Sequence, residues 1–139
     1  MDILDHLREI VGQTHVLNGD DAERYSADWL KQYHWTPLAV VRPSSTDEVA
    51  RVVAYADQNK LSIVPMGGNT GLTGATRAED CIVISLERMS KIREIRKDAK
   101  IAIVEAGAIL SNVHSAVDEH DLVFPLTFGA KGSATIGGV

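Results

Sequence analysis

Leu38-Ala39-Val40-Val41 and Leu61-Ser62-Ile63-Val64 are two short apolar runs, and the residues between them follow a different period. Val49, Val52, Val53 and Ala56 recur at i, i+3, i+4 and i+7, the spacing of one helix face. Arg42-Pro43 ends the first run, Ser45 and Glu48 stand in capping-box spacing, and Asn59-Lys60 closes the helix. Strand, helix and strand with joints this short predict a βαβ unit with parallel strands. The segment after the second strand therefore leaves the carboxyl end of a parallel strand, where open α/β sheets bind ligands.

That segment is Pro65–Ala75, "PMGGNTGLTGA", with four glycines and no charged residue. Glycine loses more conformational entropy on folding than any other residue, so such a cluster predicts tight turns, positive φ or a backbone that something approaches closely. A Walker loop is excluded, because no Gly-Lys-Ser/Thr occurs in the chain. A Rossmann dinucleotide fingerprint is poorly matched: the spacing is Gly68-x-x-Gly71-x-x-Gly74, and no amphipathic helix comes after it, so the usual NAD(P) and ATP readings are weak. Two readings remain, a plain surface loop and a nest of backbone N–H groups around an anion. Gly67, Gly68 and Gly71 free the backbone for a nest, and Asn69, Thr70 and Thr73 add side-chain donors. A second glycine-rich segment, "FPLTFGAKGSATIGGV", runs from Phe124 to Val139, and the two segments hold eight of the eleven glycines. With Ser133 and Thr135 in the second, that concentration favours a diphosphate held between two loops. Lys131 either offsets phosphate charge or faces water.

The remaining periodicity fills in the architecture. Ile3, Leu4, Leu7, Ile10 and Val11 predict an opening helix that ends at Gly12, with a second short helix from Asp20 to Tyr25. Both tryptophans, Trp29 and Trp35, are expected to pack an irregular arm. Strands are predicted at 82–86, 92–95 and 101–104, with a turn at Lys97–Lys100. Leu110, Val113, Ala116 and Val117 predict a helix ending near His120. The expected division is an N-terminal helical arm, 1–36, and a ligand-binding domain, 37–139. Its last residues are a glycine pair and Val139, which predicts a piece of a longer protein.

Charge and composition exclude several functions. The net charge is −5, and the one locally basic stretch, Lys91–Lys100, is interrupted by Glu94 and Asp98. It is expected to be a solvated strand pair, and no nucleic-acid partner is expected. Cys81 is the only cysteine, so no disulfide or paired-cysteine metal site can form within the chain. It opens the run Cys81-Ile82-Val83-Ile84 and is expected to be a buried, inert thiol. His114 and His120 lie six apart, roughly 120° from sharing a helix face, so no metal pair is expected. His6, His15 and His34 have no clustered partners, and Asp118, Glu119 and Asp121 are expected to be solvated. No apolar stretch reaches membrane-spanning length. The N-terminus lacks the basic region and long apolar core of a signal peptide, and its acidic residues argue against a transit peptide. A cytoplasmic location is expected.

"VVRPSSTDEVARVVAYADQNKLSIVPMGGNTGLTGA" together with "FPLTFGAKGSATIGG" resembles the FAD-binding domain of the vanillyl-alcohol oxidase/p-cresol methylhydroxylase superfamily. Within it the chain is most similar to the D-2-hydroxyacid dehydrogenase branch, which acts on D-lactate, glycolate or D-2-hydroxyglutarate. "DWLKQYHWTPLAVVRPSSTDEV" leans toward the last of these. The resemblance implies an α+β fold, a small βαβ-containing FAD-binding subdomain and then the start of a second, mostly antiparallel one. It implies that Met66, Gly67, Gly68, Asn69, Thr70, Gly71 and Leu72, entered through Pro65, wrap the FAD pyrophosphate. Pro125, Gly129, Ser133, Thr135, Gly137 and Gly138 would lie along the flavin and ribityl chain. The family commonly continues its "IGG" with Asn and a further glycine-rich run, where this chain has Val139. Some superfamily members attach FAD through a histidine after the Gly-Gly pair; Asn69 stands there, which implies non-covalent FAD. The implied activity is oxidation of a D-2-hydroxy acid to the 2-oxo acid, passing electrons to an unidentified acceptor. No catalytic residue or metal ligand is assigned within 1–139. Two other readings are a sugar, aldonolactone or aromatic alcohol oxidase of the same superfamily, and a non-catalytic nucleotide-binding or interaction module.

Overall fold

The computed structural model describes residues 2–139. In chain order the elements are α1 (Ile3–Val11), β1 (Val16–Leu17), β2 (Ala39–Val41), α2 (Thr46–Gln58), β3 (Ile63–Met66), β4 (Ile82–Ser85), β5 (Ile92–Arg96), β6 (Ile101–Val104) and α3 (Leu110–Asp118). Short 3-10 turns occupy Gln13–His15, Gly19–Tyr25 and Ile136–Gly138. The second of these stands where a short helix was expected.

Four strands form one sheet in the order β1-β2-β4-β3. β2 and β3 both run parallel to β4, with Ala39 and Ile63 in register with Ile82, while β1 is antiparallel to β2. The strands joined by α2 are therefore parallel, as their spacing predicts, but β4 lies between them. Burial separates interior strands from edge strands. Every residue of β2 and of β4 is buried, and these two strands take the interior positions. β3 carries the exposed Pro65, which has no N–H to donate and is tolerated at a sheet edge.

Alternation along the strands builds two apolar layers. Ala39, Val41, Ile82 and Ile84 face Leu7, Ile10 and Val11 of α1 and Val52 and Ala56 of α2. Val40, Val83 and Met66 face Ala22, Tyr25, Trp35 and Ala78 on the opposite side. The Ser45 hydroxyl caps α2 by accepting from the Glu48 N–H at 3.2 Å. The Glu48 carboxylate turns back to the Ser44 N–H at 2.7 Å, one residue earlier than a standard capping box. The apolar stripe of α2 is narrower than its spacing suggests, since Val53 is exposed.

Trp35 is buried and donates its indole N–H to the Tyr25 carbonyl at 2.8 Å. Trp29 does not pack the arm as expected, being 59% exposed. It stands at the tip of a turn closed by the Ala27–His34 bridge, in which Lys31 N donates to Asp28 O and Lys31 takes a positive φ. Cys81 is only partly buried, because it precedes the sheet centre rather than entering it; its Sγ lies 3.1 Å from the Glu79 carbonyl.

β5 and β6 form a separate antiparallel hairpin, turned at Lys97–Lys100 and largely solvated as its charges predict. α3 packs Val113 and Val117 with Ala108 onto Ile92, Ile95 and Val104. Glu105, buried between hairpin and helix, accepts from the Lys91 N–H at 2.9 Å and from Arg93 at 3.2 Å. The Lys91 N–H chiefly, and Arg93 after it, hold this carboxyl below its ordinary range against the opposing effect of burial. Among the described residues no cluster of His, Cys, Asp or Glu could hold a metal ion, and no helix is long and apolar enough to cross a membrane.

Candidate cofactor cleft

The glycine loop leaves β3 at Met66 and carries few bonds of its own. Among the described residues, no backbone N–H from Gly67 to Thr76 donates to a protein acceptor. Such a run of free donors at the carboxyl end of parallel strands is suited to an anion. Asn69 has φ 52°, a left-handed conformation that Asn tolerates better than most residues. Its side chain is fully engaged: Nδ2 donates to the Ala27 carbonyl at 2.8 Å, and Oδ1 accepts from the Thr76 hydroxyl at 2.7 Å. The loop is thereby tied to the arm. Gly74 is also left-handed, at φ 73°, with its Cα turned toward the Tyr33 ring.

Gly67 and Gly68 serve close approach instead. A Cβ on Gly67 would overlap the Thr135 hydroxyl, and one on Gly68 would overlap the Ser133 carbonyl. The two glycine segments meet there in a seam. The second segment is anchored from behind by Leu110 N to Ala134 O, Ile136 N to Ala108 O and Gly137 N to Ala106 O, at 2.8–2.9 Å. Gly107 completes the junction, because a side chain there would strike the Leu86 and Met89 carbonyls.

Beside the seam lies a cleft of about 460 Å³. Met66, Gly67, Gly68 and Asn69 form one wall, and Gly132, Ser133 and Thr135 face them with Gly107, Ile109 and Asn112. Ser85, Ser90, Glu87, Tyr25 and Arg24 complete it. Tyr25 donates its hydroxyl to Glu87 Oε1 at 2.7 Å; Arg24 pairs with both Glu87 and the Tyr25 oxygen, and Arg42 approaches Glu87 at 3.4 Å. Burial raises the Tyr25 phenol above its ordinary value. Burial also pushes the Glu87 carboxyl up, but the Tyr25 hydroxyl and the Arg24 and Arg42 guanidiniums outweigh it and hold Glu87 below the usual range. A second cleft, of about 740 Å³, adjoins across Gly68 and Asn69, with Asp28, Trp29, Lys31 and His34 among its walls. A third cavity, of about 650 Å³ between the β5–β6 hairpin and α3, is lined mainly by aliphatic groups; it touches the second glycine segment at Phe124 and Ile136 and no residue of the first.

The predicted site residues divide accordingly. Met66, Gly67, Gly68, Asn69, Ser133 and Thr135 are brought together. Pro65 points outward from edge strand β3, Thr70 is half-buried beyond the cleft wall, and Leu72 is exposed at the loop tip. Gly71 has neither a positive φ nor any protein atom within 4 Å of its Cβ position, so its conformation alone does not require glycine. Gly129 is similarly open, and Pro125 lines a separate groove beside His114. Gly137 and Gly138 stand behind the seam against Ala106 and Thr135. Lys131 is exposed, and its backbone N–H donates to Phe128 O. Sequence reasoning did not find Arg24, Tyr25 or Glu87, whose contacts join positions more than sixty residues apart and leave no periodic trace.

These residues fit a dinucleotide. The loop offers uncharged donors, Thr135 Oγ1 is buried at the cleft without a partner, and Gly67 and Gly68 already lie against Thr135 and Ser133 of the opposing segment. Fold and sequence comparisons agree. The solved structure of alkyldihydroxyacetonephosphate synthase superposes with a TM-score of 0.83 at 19% identity, covering 99% of this chain and 31% of that one. p-Cresol methylhydroxylase superposes with a TM-score of 0.78 at 22% identity, covering 97% and 28%. Both likenesses are of fold. D-2-hydroxyglutarate dehydrogenase of Xanthomonas citri pv. viticola is 41% identical over 119 residues, 85% of this chain and 25% of the relative. The mitochondrial D-2-hydroxyglutarate dehydrogenase of Arabidopsis thaliana is 34% identical over 137 residues, 96% of this chain and 24% of the relative. The chain thus spans about a quarter of the length of these relatives. Residues 37–139, which contain β2 to α3 and both glycine segments, match the FAD binding domain family, and the chain belongs to it.

Proposed function

We propose that residues 37–139 form the pyrophosphate-binding half of an FAD site in an enzyme that oxidises a D-2-hydroxy acid to the 2-oxo acid. The observation that carries this reading is the run of unpartnered N–H groups from Gly67 to Thr76, beside a cleft whose far wall is the second glycine segment. Met66 to Leu72 hold the diphosphate, Ser133 and Thr135 form the wall toward the flavin, and Gly137 and Gly138 back that wall. Pro65, Pro125 and Gly129 shape the approaches to those segments. Bound FAD supplies the two-electron acceptor for the oxidation.

This chain contributes binding and orientation. Its glycine loop satisfies diphosphate charge through fixed N–H dipoles, which need no reorganisation when the ligand arrives. The seam at Gly67, Gly68, Ser133 and Thr135 excludes water from one side of the cleft. FAD is held non-covalently, because Asn69 carries no nucleophile and its amide is committed to Ala27 and Thr76. Substrate choice rests on the names of the relatives, so D-2-hydroxyglutarate, D-lactate and glycolate are the substrate candidates. The site of action in this reading is the cytoplasm, although several relatives are named mitochondrial. The test is anaerobic reduction of the flavin in the full-length protein by each D-2-hydroxy acid, with the L enantiomers, aldonolactones and aromatic alcohols as controls. Bleaching by a D-2-hydroxy acid alone is expected. Bleaching only by a sugar lactone or an aromatic alcohol would overturn the substrate assignment.

A further inference from the structure

We infer that Arg24, in the arm that precedes the family-matched segment, is a ligand-binding residue that pairs with the diphosphate of the dinucleotide; the inference rests on the FAD reading above. Among the described residues Arg24 is the one basic residue lining the 460 Å³ cleft, and it also lines the adjoining cleft across Gly68 and Asn69. The glycine loop beneath it contains no cation. A diphosphate carries two negative charges, to which the loop itself offers neutral N–H dipoles and no opposite charge.

Arg24 is held for that role. Its Nη2 is committed to Glu87 and to the Tyr25 hydroxyl, and its guanidinium carbon lies 4.6 Å from the centre of the Tyr25 ring. Tyr25 is itself buried, and Glu87 is tied to Arg42 on β2's trailing end. Guanidinium has five N–H donors. Among the described residues, Nε and Nη1 of Arg24 have no hydrogen-bond partner, although the side chain is 63% exposed. Glu87 and Tyr25 therefore occupy Nη2 and leave Nε and Nη1 each free to give a phosphate oxygen a single charge-assisted hydrogen bond. Two arginines share Glu87, so the cluster keeps a net positive charge.

The experiment measures FAD dissociation constants of the apo full-length protein by flavin fluorescence, at low and high salt. The variants are Arg24→Met, Arg24→Lys and Glu87→Gln, with thermal melts for each. Arg24→Met is expected to weaken FAD about tenfold at low salt, with a smaller gap at high salt because the lost contact is screened. Arg24→Lys should recover part of the affinity. Glu87→Gln keeps an acceptor for Arg24 while removing a negative charge, so it should bind FAD at least as tightly as wild type. Unchanged affinity and salt dependence in Arg24→Met would overturn the inference. So would equal weakening by Arg24→Met and Glu87→Gln, which marks a purely structural cluster. A wild-type protein that binds no FAD would instead overturn the FAD reading itself.

Discussion

Gly67 and Thr135 touch across the seam between the two glycine segments, with the Thr135 hydroxyl occupying the space that a Cβ on Gly67 would need. The hydroxyl is buried and has no hydrogen-bond partner. Gly67→Ala should therefore destabilise the fold by about 1–3 kcal/mol, the usual cost of overpacking. Thr135→Ala removes the obstructing oxygen, so the double variant should be more stable than the sum of the singles predicts. Urea denaturation of the four proteins reads the coupling; strict additivity would show that the two residues do not meet.

Gly68 and Gly71 separate two uses of glycine within one loop. A side chain at Gly68 meets the Ser133 backbone, which cannot swing aside, whereas one at Gly71 meets nothing. Gly68→Ala should cost about 1–3 kcal/mol, while Gly71→Ala stays within about 0.5 kcal/mol of wild type, as open surface substitutions do. Equal melting temperatures for the two variants would contradict this placement.

The same contrast shows how much was legible in the sequence. The period-2 and period-3.6 patterns located α1, α2, α3, the apolar strands and the hairpin, because burial acts directly on those repeats. The order of strands was not legible. Nothing local says that β4 inserts between β2 and β3; burial on both faces separates β2 and β4 from the edge strand β3 but does not order the two. Glycine spacing located the loop but not the reason for each glycine. Close approach at Gly67 and Gly68 comes from a segment more than sixty residues away, and one left-handed turn fell on Asn69 rather than on Gly71. Trp29 and Trp35 look alike in sequence, yet only Trp35 finds a buried acceptor.

Acid stability should fall in two steps. His15 lies below its ordinary 6.5, because of burial first and then the charges of Arg88 and Arg42, which outweigh the opposing Glu48. Glu87 lies below its ordinary 4.5. Both folded values are depressed, so each group's contribution is complete above its unfolded value and is lost as pH falls through its folded one. His15→Gln should remove the step below pH 6.5, and Glu87→Gln the one below pH 4.5. Melting temperatures measured from pH 7 to 3 check both; an unchanged acid limb in either variant would contradict the assignment.

Asn69 predicts dissociable flavin. Acid precipitation of the full-length protein should leave all flavin in the supernatant. Fluorescence that stays with the washed, denatured pellet would reveal a covalent link through another residue.

Flavin absorbance of purified wild type and Gly71→Val, with matched circular dichroism, tests the anion-binding role of the loop most directly. At Gly71 the φ is ordinary and no protein atom is within 4 Å of the Cβ position, so valine should leave the fold intact; on the proposed reading, in which Met66 to Leu72 wrap the diphosphate, its methyl groups take the ligand's space. Losing one charge-assisted hydrogen bond costs about 1.5–3 kcal/mol, or roughly a 10- to 100-fold drop in affinity. Wild type should purify with stoichiometric FAD, and Gly71→Val should be folded and largely colourless. A folded Gly71→Val that keeps stoichiometric FAD would show that Pro65–Ala75 is a surface loop and not a diphosphate cradle.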